Sequence, residues 1–172
     1  KKLAIIRLNR HQNKMEVLLA NAKVGTIVPL YREENKYYID ESNLDNLVFL
    51  DNGTQFVITS EKSGYMHLYL YDLNGRERQA ITKGNFDIID FYGYDPVRKL
   101  FYYSSYEESP LEKYIYSINE KGLKKKLTPV KGWNEASFSK NFNYYINVVS
   151  NTDTPPVTAL YNAKGKQVRV LE

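Results

Sequence analysis

The side chains that could carry out acid–base or nucleophilic chemistry are few and widely separated in this sequence. The chain has two histidines and no cysteine, which excludes a cysteine nucleophile and thiolate metal ligands. His11 lies in a polar segment, and His67 lies in a strand-like run beside Tyr65 and Tyr69. The sequence contains no Gly-x-Ser-x-Gly motif, which a nucleophile elbow requires. We therefore predict no catalytic residues, and we interpret His67 as a hydrogen-bonded strand residue rather than a general base.

Neighbouring carboxylates and turn oxygens offer two further candidates. Adjacent Glu107 and Glu108 could bind an α-amino group, but Pro110 marks their segment as a loop between two predicted strands, so we interpret them as solvated loop residues. Residues 51–53 (Asp-Asn-Gly) and 72–75 (Asp-Leu-Asn-Gly) supply turn oxygens, yet a calcium loop needs several more ligands in register. We interpret both segments as Asx turns and predict no metal and no cofactor.

Basic residues are the remaining candidates for binding. Lys124, Lys125 and Lys126 fall in the predicted last strand of a sheet, where lysines protect an exposed edge from pairing with other chains. An anionic binding patch is the alternative interpretation. The formal net charge of +4, from 24 basic and 20 acidic side chains, is too small by itself to imply a nucleic-acid partner.

The elements that must position these residues are short strands joined by turns. Four glycines each separate two runs of strand-forming residues, at spacings of 50, 47 and 43 residues: Gly25, Gly75, Gly122 and Gly165. Glycine accepts a positive φ, so each position predicts a hairpin. A period of roughly 40–50 residues with about four short strands is typical of propeller blades. The sequence therefore predicts an all-β partial propeller of about four antiparallel blades, as a fragment of a larger ring.

The predicted blades lie at approximately residues 1–40, 41–84, 85–130 and 131–172, within one domain of residues 1–172. The runs Leu68–Tyr71 and Tyr114–Tyr116 are apolar or aromatic on both alternating faces, as expected for strands covered on both sides. No run reaches the roughly 18 apolar residues of a membrane span. We expect strands at 3–8, 15–20, 26–31, 47–50, 55–60, 66–72, 79–82, 86–92, 100–105, 113–118, 123–128, 136–138, 144–150, 157–161 and 167–171.

Residues 59–96 contain two runs of interest: Ser60, Glu61, Gly64, Tyr65, His67, Leu68 and Tyr69 lie in the first, and Ile81, Thr82, Lys83, Gly84, Phe86, Asp87 and Ile88 lie in the second. With these two runs the segment resembles the propeller domain of the dipeptidyl peptidase IV family. A blade of that family carries a Ser-Glu-x-x-Gly-aromatic-x-His-Leu-Tyr run, followed by an Ile/Leu-Thr-x-Gly-x-(Trp/Phe)-(Asp/Glu)-Val/Ile run. The likeness continues through residues 5–20, 101–118 and 136–172, and so covers essentially the whole chain.

The resemblance implies an exported serine exopeptidase, periplasmic or on the cell surface of a bacterium, that removes N-terminal dipeptides with Pro or Ala in second place. Such enzymes join an eight-bladed propeller to a C-terminal α/β-hydrolase domain, and this chain is similar to the second half of the propeller. The Ser-Asp-His triad would then follow Glu172, and the glutamates that grip the substrate amine would precede Lys1. Some members carry an Arg facing the substrate carbonyl, but residues 40–45 here are Asp-Glu-Ser-Asn-Leu-Asp, so substrate-binding residues stay unassigned.

The expected role is architectural: the blades would cover the hydrolase active site, restrict entry to short or unfolded peptides and dock the catalytic domain. Two alternatives stay open at this point. One is a non-catalytic propeller that binds protein partners, and the other is a different peptidase of the prolyl oligopeptidase superfamily, such as an oligopeptidase or an acylaminoacyl peptidase. A Gly-x-Ser-x-Gly elbow downstream of this chain would separate the peptidase from the binding propeller, and a Glu-Glu pair upstream would separate the dipeptidyl peptidase IV family from the other peptidases.

The outer faces of the first and last blades are expected to be uncovered. We predict that apolar residues on these faces drive self-association, most simply as a two-fold homodimer. The residues expected on these faces are Ile5, Ile6, Val17, Tyr144, Ile146 and Val148.

Overall fold

The computed structural model describes residues 2–41, 44 and 46–172, and fifteen strands form within these residues. No helix in this described part has the length and hydropathy to cross a membrane. The strands, in chain order, are β1 (Lys2–Leu8), β2 (Lys14–Asn21), β3 (Ile27–Glu34), β4 (Val48–Phe49), β5 (Gln55–Ser60), β6 (His67–Asp72), β7 (Glu77–Ala80), β8 (Ile88–Asp95), β9 (Leu100–Ser105), β10 (Tyr114–Asn119), β11 (Lys124–Lys126), β12 (Trp133–Phe138), β13 (Tyr144–Ser150), β14 (Val157–Asn162) and β15 (Gln167–Val170).

Consecutive strands pair into four antiparallel sheets. The first contains β1 to β3, the second β4 to β7, the third β8 to β11 and the fourth β12 to β15, each in sequence order. This arrangement confirms the predicted all-β partial propeller. The chain divides into two compact units, one formed by Lys1–Gly64 with Leu68–Ala80 and the other by Tyr65–His67 with Ile81–Glu172. The first unit contains the first two sheets, apart from His67, and the second unit contains the last two.

The four predicted glycine hairpins are present, each with a left-handed glycine. The φ angles are between 70° and 80° at Gly25, Gly75, Gly122 and Gly165. In three of these turns the side chain of an Asp or Asn accepts hydrogen bonds from two backbone N–H groups, two and four residues further on. These acceptors are Asp72, Asn119 and Asn162. Local side-chain bonding and glycine together therefore fix each of these hairpins.

The middle strands of the second and third sheets are buried on both faces, as the sequence predicts. Five of the six residues are buried in each of β5, β6, β9 and β10. In the second unit the rings of Tyr102 and Phe142 stack at 5.0 Å, and those of Tyr145 and Tyr161 stack at 5.2 Å. The second unit's core is thus largely aromatic, which suits sheets that pack face to face.

The expected exposure of Val17 is wrong. Val17 is fully buried and packs with Met15 and Leu19 in the core of the first unit, whereas Leu18 on the other face of β2 is half-buried. Side chains alternate along a strand, so an error of one residue moves a residue to the opposite face. Ile5, Tyr144 and Ile146 are exposed as predicted, while Ile6 and Val148 are half-buried.

Candidate functional site

A buried lysine lies between the third and fourth sheets, immediately before β10. Lys113 is 4% exposed, and its ammonium lies 3.2 Å from Asp90 Oδ2 and 3.7 Å from Glu135 Oε1. The same ammonium lies 4.9 Å from the centre of the Trp133 ring. A buried ammonium is tolerated only where opposite charges compensate for its lost hydration. We call Asp90, Ser104, Lys113, Trp133 and Glu135 the Lys113 cluster.

Backbone pairing places Lys113 in this position. Its N–H donates to the carbonyl of Gly132, and its carbonyl accepts from the N–H of Asn134, each at 3.1 Å. The Asn134 amide group also donates to the Lys113 carbonyl, at 2.9 Å. These bonds form a short parallel bridge between residue 113 and residue 133. β12 begins three residues before its predicted start at 136, and these added residues also pair with β13. The bridge thereby brings the edge strand of the fourth sheet against the third sheet.

The carboxylate of Asp90 is held by three side chains. Ser104 donates to Oδ2 at 2.6 Å, Tyr92 donates at 3.3 Å, and Lys113 lies opposite. Burial alone would raise the pKa of Asp90, but the hydrogen bond from Ser104 and the charge of Lys113 together hold this pKa below its usual value. The carboxylate is therefore a fixed anion rather than a proton carrier.

Trp133 and Glu135 complete the Lys113 cluster on its solvent side. The indole N–H donates to Glu135 Oε1 at 3.0 Å, and the Trp133 ring contacts the Tyr106 ring at 5.8 Å. The side chains of Asp90 and Glu135 are 43% and 64% exposed. Sequence reasoning missed this cluster, because nothing in the run around Lys113 distinguishes a buried lysine from an exposed one at a strand end. The one signal in the sequence is the run Tyr114–Tyr116, which follows Lys113 and is apolar or aromatic throughout.

The interpretation as a solvated loop residue is wrong for Glu107, whereas Glu108 is exposed as predicted, with 45% of its side chain accessible to solvent. Glu107 is 9% exposed at its side chain and pairs with Lys124, while Glu108 pairs with Lys126 at 2.7 Å and accepts from the Tyr116 hydroxyl at 2.9 Å. The hydrogen bond from Lys126 is the largest of the effects that lower the pKa of Glu108. The physical reason is the strand period, which places Lys124 and Lys126 on one face of β11, opposite this loop.

The three lysines of β11 lie on the edge strand of the third sheet, as predicted. Lys125 points the other way and donates to the Lys164 carbonyl at 2.7 Å. Lys124 and Lys126 are paired with glutamates and contact the aromatic rings of Tyr116 and Tyr114. Because the charges of Lys124 and Lys126 are compensated, the arrangement favours edge protection over an anionic binding patch.

The contacts of His67 confirm its predicted structural role. Its Nδ1 lies 3.1 Å from Thr82 Oγ1, and its Nε2 lies 3.0 Å from the carbonyl of Gly84. The Phe86 ring meets the imidazole edge-on at 5.2 Å. Both ring nitrogens therefore have hydrogen-bond partners, and both partners lie in the segment that follows β7. His11 lies in the exposed turn between β1 and β2.

The predicted Asx turns are present. Asn52 Oδ1 accepts from the N–H of Thr54 at 2.9 Å, and Asp72 Oδ1 accepts from two N–H groups as described above. Within residues 2–41, 44 and 46–172, no three His, Cys, Asp or Glu side chains come together in a way that could hold a metal ion. Three residues of the segment 40–45, at positions 42, 43 and 45, lie outside the described residues.

Comparisons with protein families, solved structures and curated proteins all relate this chain to dipeptidyl peptidases. The family described as "Dipeptidyl peptidase IV (DPP IV) N-terminal region" matches residues 1–156. The crystal structure of Porphyromonas gingivalis dipeptidyl peptidase 4 superposes with a TM-score of 0.93 and 38% identity, over 99% of this chain and 24% of that one. The dipeptidyl peptidase 4 of Arthroderma otae is 28% identical over 180 residues, which are 96% of this chain and 22% of its own length.

A third relative, a probable dipeptidyl peptidase 4 of Aspergillus flavus, is 31% identical over 126 residues, or 65% of this chain and 16% of its own length. The chain therefore spans a quarter or less of the length of these relatives. The match to the family covers the first three sheets and the first two strands of the fourth, and so includes the second sheet that carries the Ser-Glu and His-Leu-Tyr residues. The chain belongs to the dipeptidyl peptidase IV family, within the N-terminal propeller region of that family.

Proposed function

We propose that this chain is a propeller segment of a serine-type dipeptidyl peptidase, which releases N-terminal dipeptides with Pro or Ala in second place. The observation that carries this proposal is the TM-score of 0.93 with 38% identity to the Porphyromonas gingivalis dipeptidyl peptidase 4 over 99% of the chain. Agreement of backbone and sequence over four consecutive sheets goes beyond a shared fold, which by itself says little about activity.

We propose that the segment supports the catalytic domain and restricts which peptides reach its active site, and that the segment itself does not catalyse the reaction. Two of its buried polar side chains make internal contacts: His67 with Thr82 and Gly84, and Lys113 with two carboxylates. Such blades would exclude folded chains from an active site on an accompanying α/β-hydrolase domain, and would form the surface on which that domain docks. Peptides are the proposed substrates, and a location outside the cytoplasm is proposed with the activity.

Activity measurements on two proteins test this proposal. We expect the full-length protein to hydrolyse Gly-Pro and Ala-Pro chromogenic substrates and to lose activity with a serine-reactive inhibitor. We expect the 172-residue chain alone to be inactive, since no nucleophile elbow occurs in its sequence. A full-length protein that binds peptides without cleaving them would favour a binding propeller. Cleavage of internal bonds or of acylated N-termini would favour another peptidase of the superfamily.

A further inference from the structure

Two Asn-Gly pairs occupy matching positions in hairpin turns of the second sheet. Asn52 and Gly53 connect β4 to β5, and Asn74 and Gly75 connect β6 to β7. In each turn the glycine N–H donates at 3.0 Å to the carbonyl three residues earlier, and the glycine φ is positive, 65° and 77°. Both asparagines are exposed. The two pairs thus share their covalent chemistry and their turn geometry.

The two turns differ in how firmly their backbones are held. At the second turn, Asp72 Oδ1 accepts from the N–H groups of Asn74 and Arg76, at 2.9 and 3.0 Å. Gly75 also packs so closely on β3 that an added Cβ would lie 2.5 Å from the Leu30 carbonyl oxygen. This turn can change its backbone angles only by losing several contacts at once.

The first turn lacks these restraints. Its first residue is Leu50, which has no side-chain acceptor, and no atom lies within 4 Å of a Cβ added at Gly53. The Asn52 side chain accepts from the Thr54 N–H at 2.9 Å and donates to Gln55 Oε1 at 2.5 Å. These bonds are exposed to water, which replaces them at small cost.

We propose that Asn52 is a site of spontaneous deamidation and isoaspartate formation, and that the fold protects Asn74 from the same reaction. Hydroxide removes the Gly53 amide proton, and the nitrogen attacks Cγ of Asn52, which is unhindered because glycine has no side chain. The new N–C bond forms as the C–Nδ2 bond breaks and ammonia leaves. Water then adds to either carbonyl of the resulting succinimide and opens the ring. The product is aspartate or isoaspartate, so the net change is one water consumed and one ammonia released.

The modification alters the turn in two ways. Isoaspartate routes the backbone through one additional carbon, and either product adds a negative charge beside Asp51. The Thr54 carbonyl accepts from the N–H of Leu73 at 3.1 Å, so the change reaches the neighbouring turn. The proposal concerns the chain itself and does not depend on the proposed peptidase function.

Peptide mapping by mass spectrometry during incubation of the full 172-residue chain at mildly alkaline pH tests this proposal. In the folded chain we expect isoaspartate at Asn52 to accumulate about tenfold faster than at Asn74, as two additional hydrogen bonds would produce. In concentrated urea, where neither turn is formed, we expect the two rates to differ by no more than about twofold.

Two variants serve as controls. Asn52→Gln should abolish isoaspartate formation at position 52 and leave the rate at Asn74 unchanged. Asp72→Ala should raise the rate of isoaspartate formation at Asn74 several-fold and leave the rate at Asn52 unchanged. If this variant unfolds, the ratio of the rates at Asn52 and Asn74, compared between the folded and the urea-treated wild type, still tests the proposal. Equal rates at the two positions in the folded chain would overturn the proposal. So would the absence of isoaspartate at Asn52 over a time in which the urea-treated chain forms it.

Discussion

At the scale of residues, the polar side chains of this propeller segment are used for internal contacts. Lys113 is compensated by Asp90 and Glu135, and Glu107 is buried against Lys124. The sequence could indicate the structural role of His67, because its strand neighbours are aromatic. It could not indicate the burial of Glu107 or Lys113, since these contacts depend on which loop meets which strand, and residues far apart in the chain determine that.

Replacing Lys113 by Met tests the contribution of the Lys113 cluster. The variant keeps the apolar stem and removes the ammonium, so we expect a loss of about 1–2 kcal/mol in the free energy of unfolding at neutral pH, reduced from the value for a fully buried pair because Asp90 is partly exposed. Urea unfolding of wild type and variant measures this difference. Lys125→Met, at an exposed position on β11, is the matched control and should cost less than about 0.5 kcal/mol.

The same pair of proteins tests the pH dependence of the cluster. The folded protein holds the pKa of Asp90 below its usual value. The ion pair therefore stabilises the fold above the carboxyl's unfolded pKa of about 4, and this contribution is lost as the pH falls through the lower folded value. The difference between wild type and Lys113→Met should shrink as the pH falls below the carboxyl's unfolded pKa of about 4. A difference that stays constant from neutral to acidic pH would contradict this account of Asp90.

At the scale of elements, strands were the most predictable feature of the chain. The predicted ranges of β5, β9 and β13 agree with the structure at both ends. Differences of up to three residues occur at the ends of β3, β8 and β12. The added first residues of β12 pair with β13, and Trp133 also forms the bridge to Lys113. Alternation and turn residues determine a strand locally, whereas its extension by pairing with a distant segment is a tertiary effect that local patterns do not contain.

The glycine turns allow a direct comparison of backbone strain with steric overlap. We expect Gly25→Ala to cost about 1–2 kcal/mol, because φ is 70° and no atom lies within 4 Å of the added Cβ. Gly75→Ala and Gly165→Ala should cost at least about 1 kcal/mol more, because their Cβ atoms would lie 2.5 and 2.7 Å from backbone oxygens of Leu30 and Leu127. Thermal unfolding of the three variants measures the order, and equal shifts in Tm would show that overlap contributes nothing.

At the scale of the whole molecule, each terminal sheet exposes apolar side chains. In the first sheet Leu3 is 61% exposed and Ile5 is 37% exposed; in the fourth, Tyr144 is 50% exposed and Ile146 is 40% exposed. These positions include three that the sequence predicts. Val17 does not contribute, because it belongs to the core.

We propose that the isolated 172-residue chain associates through these faces, with a two-fold dimer as the simplest form. Light scattering at micromolar concentration should report a mass above that of the monomer. Exchanging Leu3 and Ile146 for Lys should shift the mass towards the monomer, while the same exchange at Val97, which is exposed in a turn of the third sheet, should leave it unchanged. A wild-type monomer at this concentration would refute the proposal.

The aromatic core has a consequence for the optical behaviour of the protein. Burial is the largest cause that raises the pKa of the phenol groups of Tyr102 and Tyr114 to about 12, and it moves the pKa of Tyr103, Tyr116 and Tyr145 in the same direction. Alkaline titration should therefore give a phenolate absorbance change from these buried residues that comes later than the change expected of an unperturbed phenol near pH 10. Because the fold favours the protonated phenols, their stabilisation is complete below the unfolded pKa and is lost as the pH rises through the folded values. The later absorbance change should thus coincide with loss of the folded state, so that the tyrosines themselves act as a label-free spectral indicator of unfolding.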